Sequence, residues 1–376
     1  MLRALETDRA RLTVLKAQIL DLERSALRAE KTLLQNRIDS YKYPVLTLPN
    51  EIVSEIFVHF LPPYPLPPPF SGLLSPNILA AICRQWRETA LATPALWRAI
   101  DMSFSQSIKY LEQQAQATEM WLSRSQCCPL SIHITGDASR SPAAFGAIVA
   151  HRSRWEYLEL DPGQFPLPAF EGSMPLLRHL DVHLPEACRT VNLNVYTPLL
   201  RTAVLRNYAL THVVLPWAQL TALTLSTVYP YECPPILQQT SNLVHCVLGF
   251  VIEEDGDQDA SGLPEVELPF LESLVMKNPD GQCITGYLNT LMVPALRSLK
   301  VSERFLGRSP IDALIYLISK SACKLQDLHI TGKISVAMHD YRRAFPSVSK
   351  LSLHGWKFDE ENFKESISEV DDLGES

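Results

Sequence analysis

A hexapeptide of the form L-x-x-L-x-L, met nine times from residue 155 onward, restricts the fold of this chain more than any other feature. It reads WEYLEL from Trp155, LRHLDV from Leu177, LRTAVL from Leu200, LTALTL from Leu220 and LVHCVL from Leu243. It continues as LESLVM from Leu271, LRSLKV from Leu296, LQDLHI from Leu325 and VSKLSL from Val348. Successive starts lie 22, 23, 20, 23, 28, 25, 29 and 23 residues apart. Apolar residues at alternate positions put one side of a short strand in a core and the other in water. In five units a proline stands two residues before the start (Pro175, Pro198, Pro269, Pro294 and Pro346), a place where a missing N–H is tolerated. Leucine makes up 56 of the 376 residues and glycine only 14, so the excess is of core formers rather than of turn formers.

Units of 20 to 29 residues with one strand each have the period of leucine-rich repeats, in which every unit buries its face against its neighbours. The expected fold class is α/β: a long N-terminal helix, a three-helix block, then an irregular leucine-rich-repeat solenoid with parallel strands. An ordinary α/β sheet with longer, continuously apolar strands is the alternative. The repeat lacks its usual regular asparagine, so an internal asparagine ladder is not expected and curvature should be irregular. Residues between the leucines point the other way and pave a candidate target-binding face. They include Glu159, Asp161, His179, Asp181, His183, Arg206, His245, Lys277, Lys300, His329 and His354, acids early and bases late. A polar, histidine-bearing face suits a protein or peptide better than an apolar small molecule. His179, Asp181 and His183 share one side of a strand, as metal ligands would. Such positions exist in every unit, so the reading taken is ordinary outward residues, with no metal and no cofactor. Cys83, Cys246 and Cys323 stand at apolar positions and read as small core residues.

Upstream, residues 1–43 contain neither proline nor glycine. Leu5, Leu12, Ile19, Ala26 and Leu33 recur every seven residues, with Leu15, Leu22 and Ala29 three later, a coiled-coil seam interrupted by Asp8 and Asn36. Two outcomes fit: a homodimer through residues 5–36, or an amphipathic helix folded back on its own domain. Residues 44–100 read as three short helices. Pro49 and Glu51 open the first, with Ile52, Ile56 and Phe60 along it. Ser75-Pro76 opens a second that carries Ile78, Ile82 and Trp86 on one face, and Thr93-Pro94 introduces Leu96 and Trp97. Between the first two, residues 62–76 hold seven prolines and are expected as an extended loop. A helix over about 107–124 and a strand from Leu130 to Ile134 lead into the repeats, so the repeat domain is set at 101–357 and an acidic tail at 358–376.

The net charge of −7 resides in that tail, where eight acids face only Lys364; elsewhere acids and bases balance. That argues against nucleic acid or an anionic membrane as the main partner. No apolar run reaches the ~18 residues of a membrane span. No signal-peptide core, CxxC pair or N-x-S/T site is present, so a reduced cytoplasmic or nuclear setting is expected. Signatures of the common catalytic and nucleotide-binding sites are also missing, and no enzyme activity is expected.

The helical block resembles an F-box. LPNEIVSEIF from Leu48 to Phe57 is similar to the opening of that family, and CRQWRETALATPALW from Cys83 to Trp97 to its second half. With the N-terminal helix and the degenerate repeats, the whole chain resembles the expanded F-box proteins of mushroom-forming fungi. The resemblance implies a non-catalytic, substrate-recognition subunit of a ubiquitin ligase. The F-box would dock on a Skp-family adaptor, and through it a cullin, while the repeats hold an unidentified protein target. By position it implies adaptor contacts at Leu48, Pro49, Ile52, Ile56, Ile82, Cys83 and Trp86. The insert at 62–76 is longer than the family's usual link, and it could loop out at small entropic cost or obstruct the adaptor. Packing of the helical block onto the repeats, and a repeat-based scaffold not engaged in ubiquitin ligation, are the alternatives.

Overall fold

A computed structural model describes residues 2–40, 44–104, 108–137, 140–162, 172–184, 193–207, 213–251, 258–260, 262–277 and 284–354. The acidic tail lies outside the described residues. Helix α1, Leu2–Ser40, runs without interruption, as a segment free of helix breakers should. Its described side chains are exposed throughout, so it is not folded back on the rest of the chain. Three helices follow, α2 (Asn50–Phe60), α3 (Pro76–Ile82) and α4 (Arg84–Leu91), then a 3-10 turn over Pro94–Trp97.

The rest is a mixed α/β body built on a parallel sheet of 11 strands. The strands are β1 (Ala99–Ser103), β2 (Leu130–Gly136), β3 (Trp155–Pro162), β4 (His179–Leu184), β5 (Thr202–Asn207) and β6 (Ala222–Val228). They continue as β7 (His245–Phe250), β8 (Ser273–Lys277), β9 (Ser298–Ser302), β10 (Asp327–Thr331) and β11 (Lys350–His354). Each pairs in parallel with the one before and the one after, so spatial order follows chain order. Helices α5 (Ile108–Arg124), α6 (Pro142–Ala150), α7 (Cys233–Leu237), α8 (Pro310–Ser321) and α9 (Met338–Ala344) belong to the return segments.

The hexapeptide pattern sets the register. Leu158, Leu180, Ala203, Leu223, Cys246, Leu274, Leu299 and Leu328 align across β3–β10 in one row. Leu160, Val182, Leu205, Leu225, Leu248, Met276, Val301 and Ile330 form a second row, and both rows are buried. Each Leu, Ile, Val or Met of these rows contributes roughly 1.5–3 kcal/mol on leaving water. In the seven hexapeptides that start with leucine, that residue enters the same core just ahead of its strand, as Leu177, Leu200 and Leu220 do. Along this stack one carbonyl takes two amides of the next unit: Arg178 O accepts from Arg201 N (2.9 Å) and Thr202 N (3.0 Å). Arg201, Thr221, Val244, Glu272, Arg297 and Gln326 repeat the arrangement, which pairs backbone groups that burial would otherwise strand.

A strand, β1, begins at Ala99, directly after the helical block. One expectation needs correction. The second helix of the block is two, because Cys83 is extended (φ −153°, ψ 171°) and its Sγ accepts from Trp86 N at 3.4 Å to start α4. Cys83 is therefore a helix-capping residue, and Ile82 and Trp86 do not share one helix. The proline-rich segment forms neither helix nor strand over residues 62–75, as a loop should, and it is packed against the body. Tyr64 reaches Glu156, Pro65 O accepts from Ser131 Oγ at 2.7 Å, and the Phe70 ring lies 4.7 Å from Trp121.

Candidate protein-docking surfaces

The helical block divides its apolar residues between two faces. Pro49 precedes α2 in an extended conformation, and Glu51 stands in its first turn. One side of α2 sends Val53 and Phe57 into the core, 2% and 1% exposed, where Trp86 meets Phe57 edge-on at 5.0 Å. Leu96 and Trp97 are buried in the same core, Trp97 Nε1 donating to Ala90 O at 2.9 Å and its ring lying 5.6 Å from Trp121. The block thus packs on the sheet domain by its inner side. The other side of α2 leaves Ile52, Ile56 and Phe60 at 49%, 47% and 41% exposure, and Ile82 at the end of α3 is 57% exposed. Pro49 is exposed, while Leu48, Cys83 and Trp86 are partly buried.

The outward side of the sheet presents three rows of side chains. In the middle row Asp101, His133, Glu159 and Asp181 align across β1–β4, and the row continues through Lys300 and His329 on β9 and β10 to Ser352 on β11. Val204, Thr224, Val247 and Val275 lie between, so a neutral stretch separates an acidic end from a basic one. His179 and His245 stand one row away, and Asp161, His183, Arg206 and Lys277 on the row opposite; His354 is exposed on the last strand. All the residues read from the sequence as a binding face therefore share one side of the sheet.

The acidic end is internally paired. His133 Nδ1 lies 2.8 Å from Asp101 Oδ1 and its Nε2 3.3 Å from Glu159 Oε1. Burial works against the charged ring, but the hydrogen bonds it donates to both carboxylates prevail and raise His133 to about 10. The His133 hydrogen bond in turn holds Glu159 below the usual carboxylate range. His183 Nδ1 meets Asp161 Oδ1 at 2.8 Å. Asp181, expected as an outward-facing residue, is only 5% exposed and accepts from Arg206 at 2.6 Å. Burial raises it to about 6 against the pull of Arg206. Buried and paired with Arg206, it supports the face instead of offering itself to a ligand.

At the basic end burial and Lys300 bring Lys277 down to about 8, and burial with Lys300 lowers His329. Burial also lowers His245, against Glu272. Among the described residues no three or more His, Cys, Asp or Glu side chains are placed to hold a metal, and no helix is long and apolar enough to cross a membrane. Sequence reasoning missed Asp101 and His133, which extend the face onto two strands ahead of the first hexapeptide. The alternation in SIHIT from Ser131 was the available signal. In comparison with known proteins, no family model matches this chain and no curated protein does.

Proposed function

We propose that this chain is the substrate-recognition subunit of a Skp–cullin–F-box ubiquitin ligase, carrying no catalysis itself. One observation supports this above the others. The segment that resembles an F-box commits Val53, Phe57, Leu96 and Trp97 to its own core, yet leaves Ile52, Ile56 and Ile82 in water. Those three are among the positions at which the resemblance puts the adaptor. Ile52 and Ile56, half-exposed along one side of α2, offer an apolar stripe that a partner could cover. The proline-rich segment is packed against β2, β3 and α5, which keeps it engaged with the body of the chain.

The parallel sheet, one strand for each hexapeptide, is read as an irregular leucine-rich-repeat solenoid. Its outward face is read as the target site, with a neutral centre between charged ends. Such a mixed surface fits a folded protein or a peptide carrying both signs of charge. Activity in the cytoplasm or nucleus belongs to the same reading. The test is co-expression of the full chain with a Skp-family protein, followed by size-exclusion chromatography and a search for bound cullin. A stoichiometric complex is expected; a folded chain that elutes free of the adaptor would leave a scaffold role in its place.

A further inference from the structure

Helix α1 is 39 residues long, and its seam residues Leu12, Leu15, Ile19, Leu22 and Leu33 are all about half exposed or more. A helix draws most of its stability from packing an apolar face, so a stripe of this length marks an interface. We propose that two copies of this chain pair through α1 in antiparallel orientation. The inference rests on α1 alone and is independent of the ubiquitin-ligase reading.

Size and charge along the seam select the orientation. In a parallel pair, Asp8 would face Asp8 inside the seam, and Ala26 over Ala26 beside Ala29 over Ala29 would leave two thin layers together. Arg11 would also flank Lys16 of the other copy. Antiparallel pairing removes all three faults in a single register. Leu12 then packs on Ala29 of the second copy, Leu15 on Ala26, and Ile19 on Leu22, so each small residue meets a large one. Asp8 and Asn36 move to the outermost layers, opposite Leu33 and Leu5, where water reaches them.

The flanking positions agree with the same register. Arg9 meets Glu30 of the second copy and Lys16 meets Glu23, and two-fold symmetry makes each pair twice. No like charges meet there. Sliding by one heptad in one direction sets Arg9 against Arg37, and in the other sets Lys16 against Lys16.

Sedimentation of the full chain at micromolar concentration tests the pairing, with a dimer expected. Lys16→Glu and Glu23→Lys should each weaken it about tenfold or more, by turning attractive pairs repulsive. The double variant should return to within about threefold of the native chain, because positions 16 and 23 face each other only in the antiparallel pair. Leu12→Cys alone should give no disulfide-linked dimer, since the two copies of position 12 lie about 25 Å apart. A mixture of Leu12→Cys with Ala29→Cys chains should cross-link, with the native chain as control for its own cysteines. A monomer at tens of micromolar, no rescue by the double reversal, or self-linking of Leu12→Cys would overturn the proposal.

Discussion

Tyr64, in the proline-rich segment, donates a hydrogen bond to Glu156 Oε2 of β3 at 2.9 Å, across 92 residues of chain. The Arg98 guanidinium lies 3.7 Å above the Tyr64 ring and Tyr157 meets its edge at 5.4 Å. Burial, and then the Glu156 carboxylate, push the phenol well above its usual range. The segment is thereby a strap that joins the helical block to the first strands of the sheet. Tyr64→Phe should cost about 1 kcal/mol in urea unfolding, the ordinary worth of one partly buried hydrogen bond. Deleting residues 63–74 should cost roughly 3 kcal/mol or more, since it uncovers Trp121 as well. A deletion that melts like the native chain would show that the strap adds nothing to stability.

Neighbouring positions of α2 should respond in opposite ways. Ile56→Asp places a carboxylate on an exposed surface and should leave the melting temperature almost unchanged, while adaptor recovered by co-purification falls at least about tenfold. Phe57→Asp, one residue on, buries an unpaired charge at a position 1% exposed and should unfold the helical block. If Ile56→Asp binds the adaptor as well as the native chain does, the exposed isoleucines serve something else.

The strands were legible because their constraint is local: alternate leucines in a six-residue window fix both the strand and its buried side. Cys246 shows how far this extends, holding a leucine's place in the inner row with the thiol raised by burial to a value no ordinary pH reaches. What was illegible depends on partners distant in sequence. A four-residue apolar spacing on α2 could be read as Ile52-Ile56-Phe60 or as Val53-Phe57, and only Trp86 and the sheet behind it decide which is inside. Likewise Asp181 carries the outward signature of its neighbours, and its burial follows from Arg206 on the next strand.

That burial separates two aspartates two residues apart in pattern but unlike in surroundings. Asp161 has a 56% exposed side chain and pairs with His183, so Asp161→Lys should cost under about 1 kcal/mol. Asp181→Lys would leave a lysine buried against Arg206 and should cost about 4 kcal/mol. Chemical denaturation of the two variants measures the difference. Only Asp161→Lys is then suitable for testing target capture, because a loss of binding by Asp181→Lys would report unfolding. Equal stability of the two would place Asp181 on the open face after all.

His133 gives the sheet a pH dependence with a definite sign. Its side chain is 27% exposed, with one carboxylate on each ring nitrogen. The folded chain therefore holds the proton more tightly than the unfolded chain, raising the ring from 6.5 to about 10. A raised basic group adds stability that is complete below the unfolded value and is lost as pH rises through the folded one. The window thus runs from 6.5 to about 10. Across it the native chain should lose about 2 kcal/mol that His133→Gln does not, the worth of hydrogen bonds between a charged ring and carboxylates. Urea unfolding of both chains at several pH values in that window gives the difference directly, with other titrating groups cancelling between them. Parallel profiles would mean that the ring is neutral in the folded chain, and that Asp101 and Glu159 meet an uncharged imidazole.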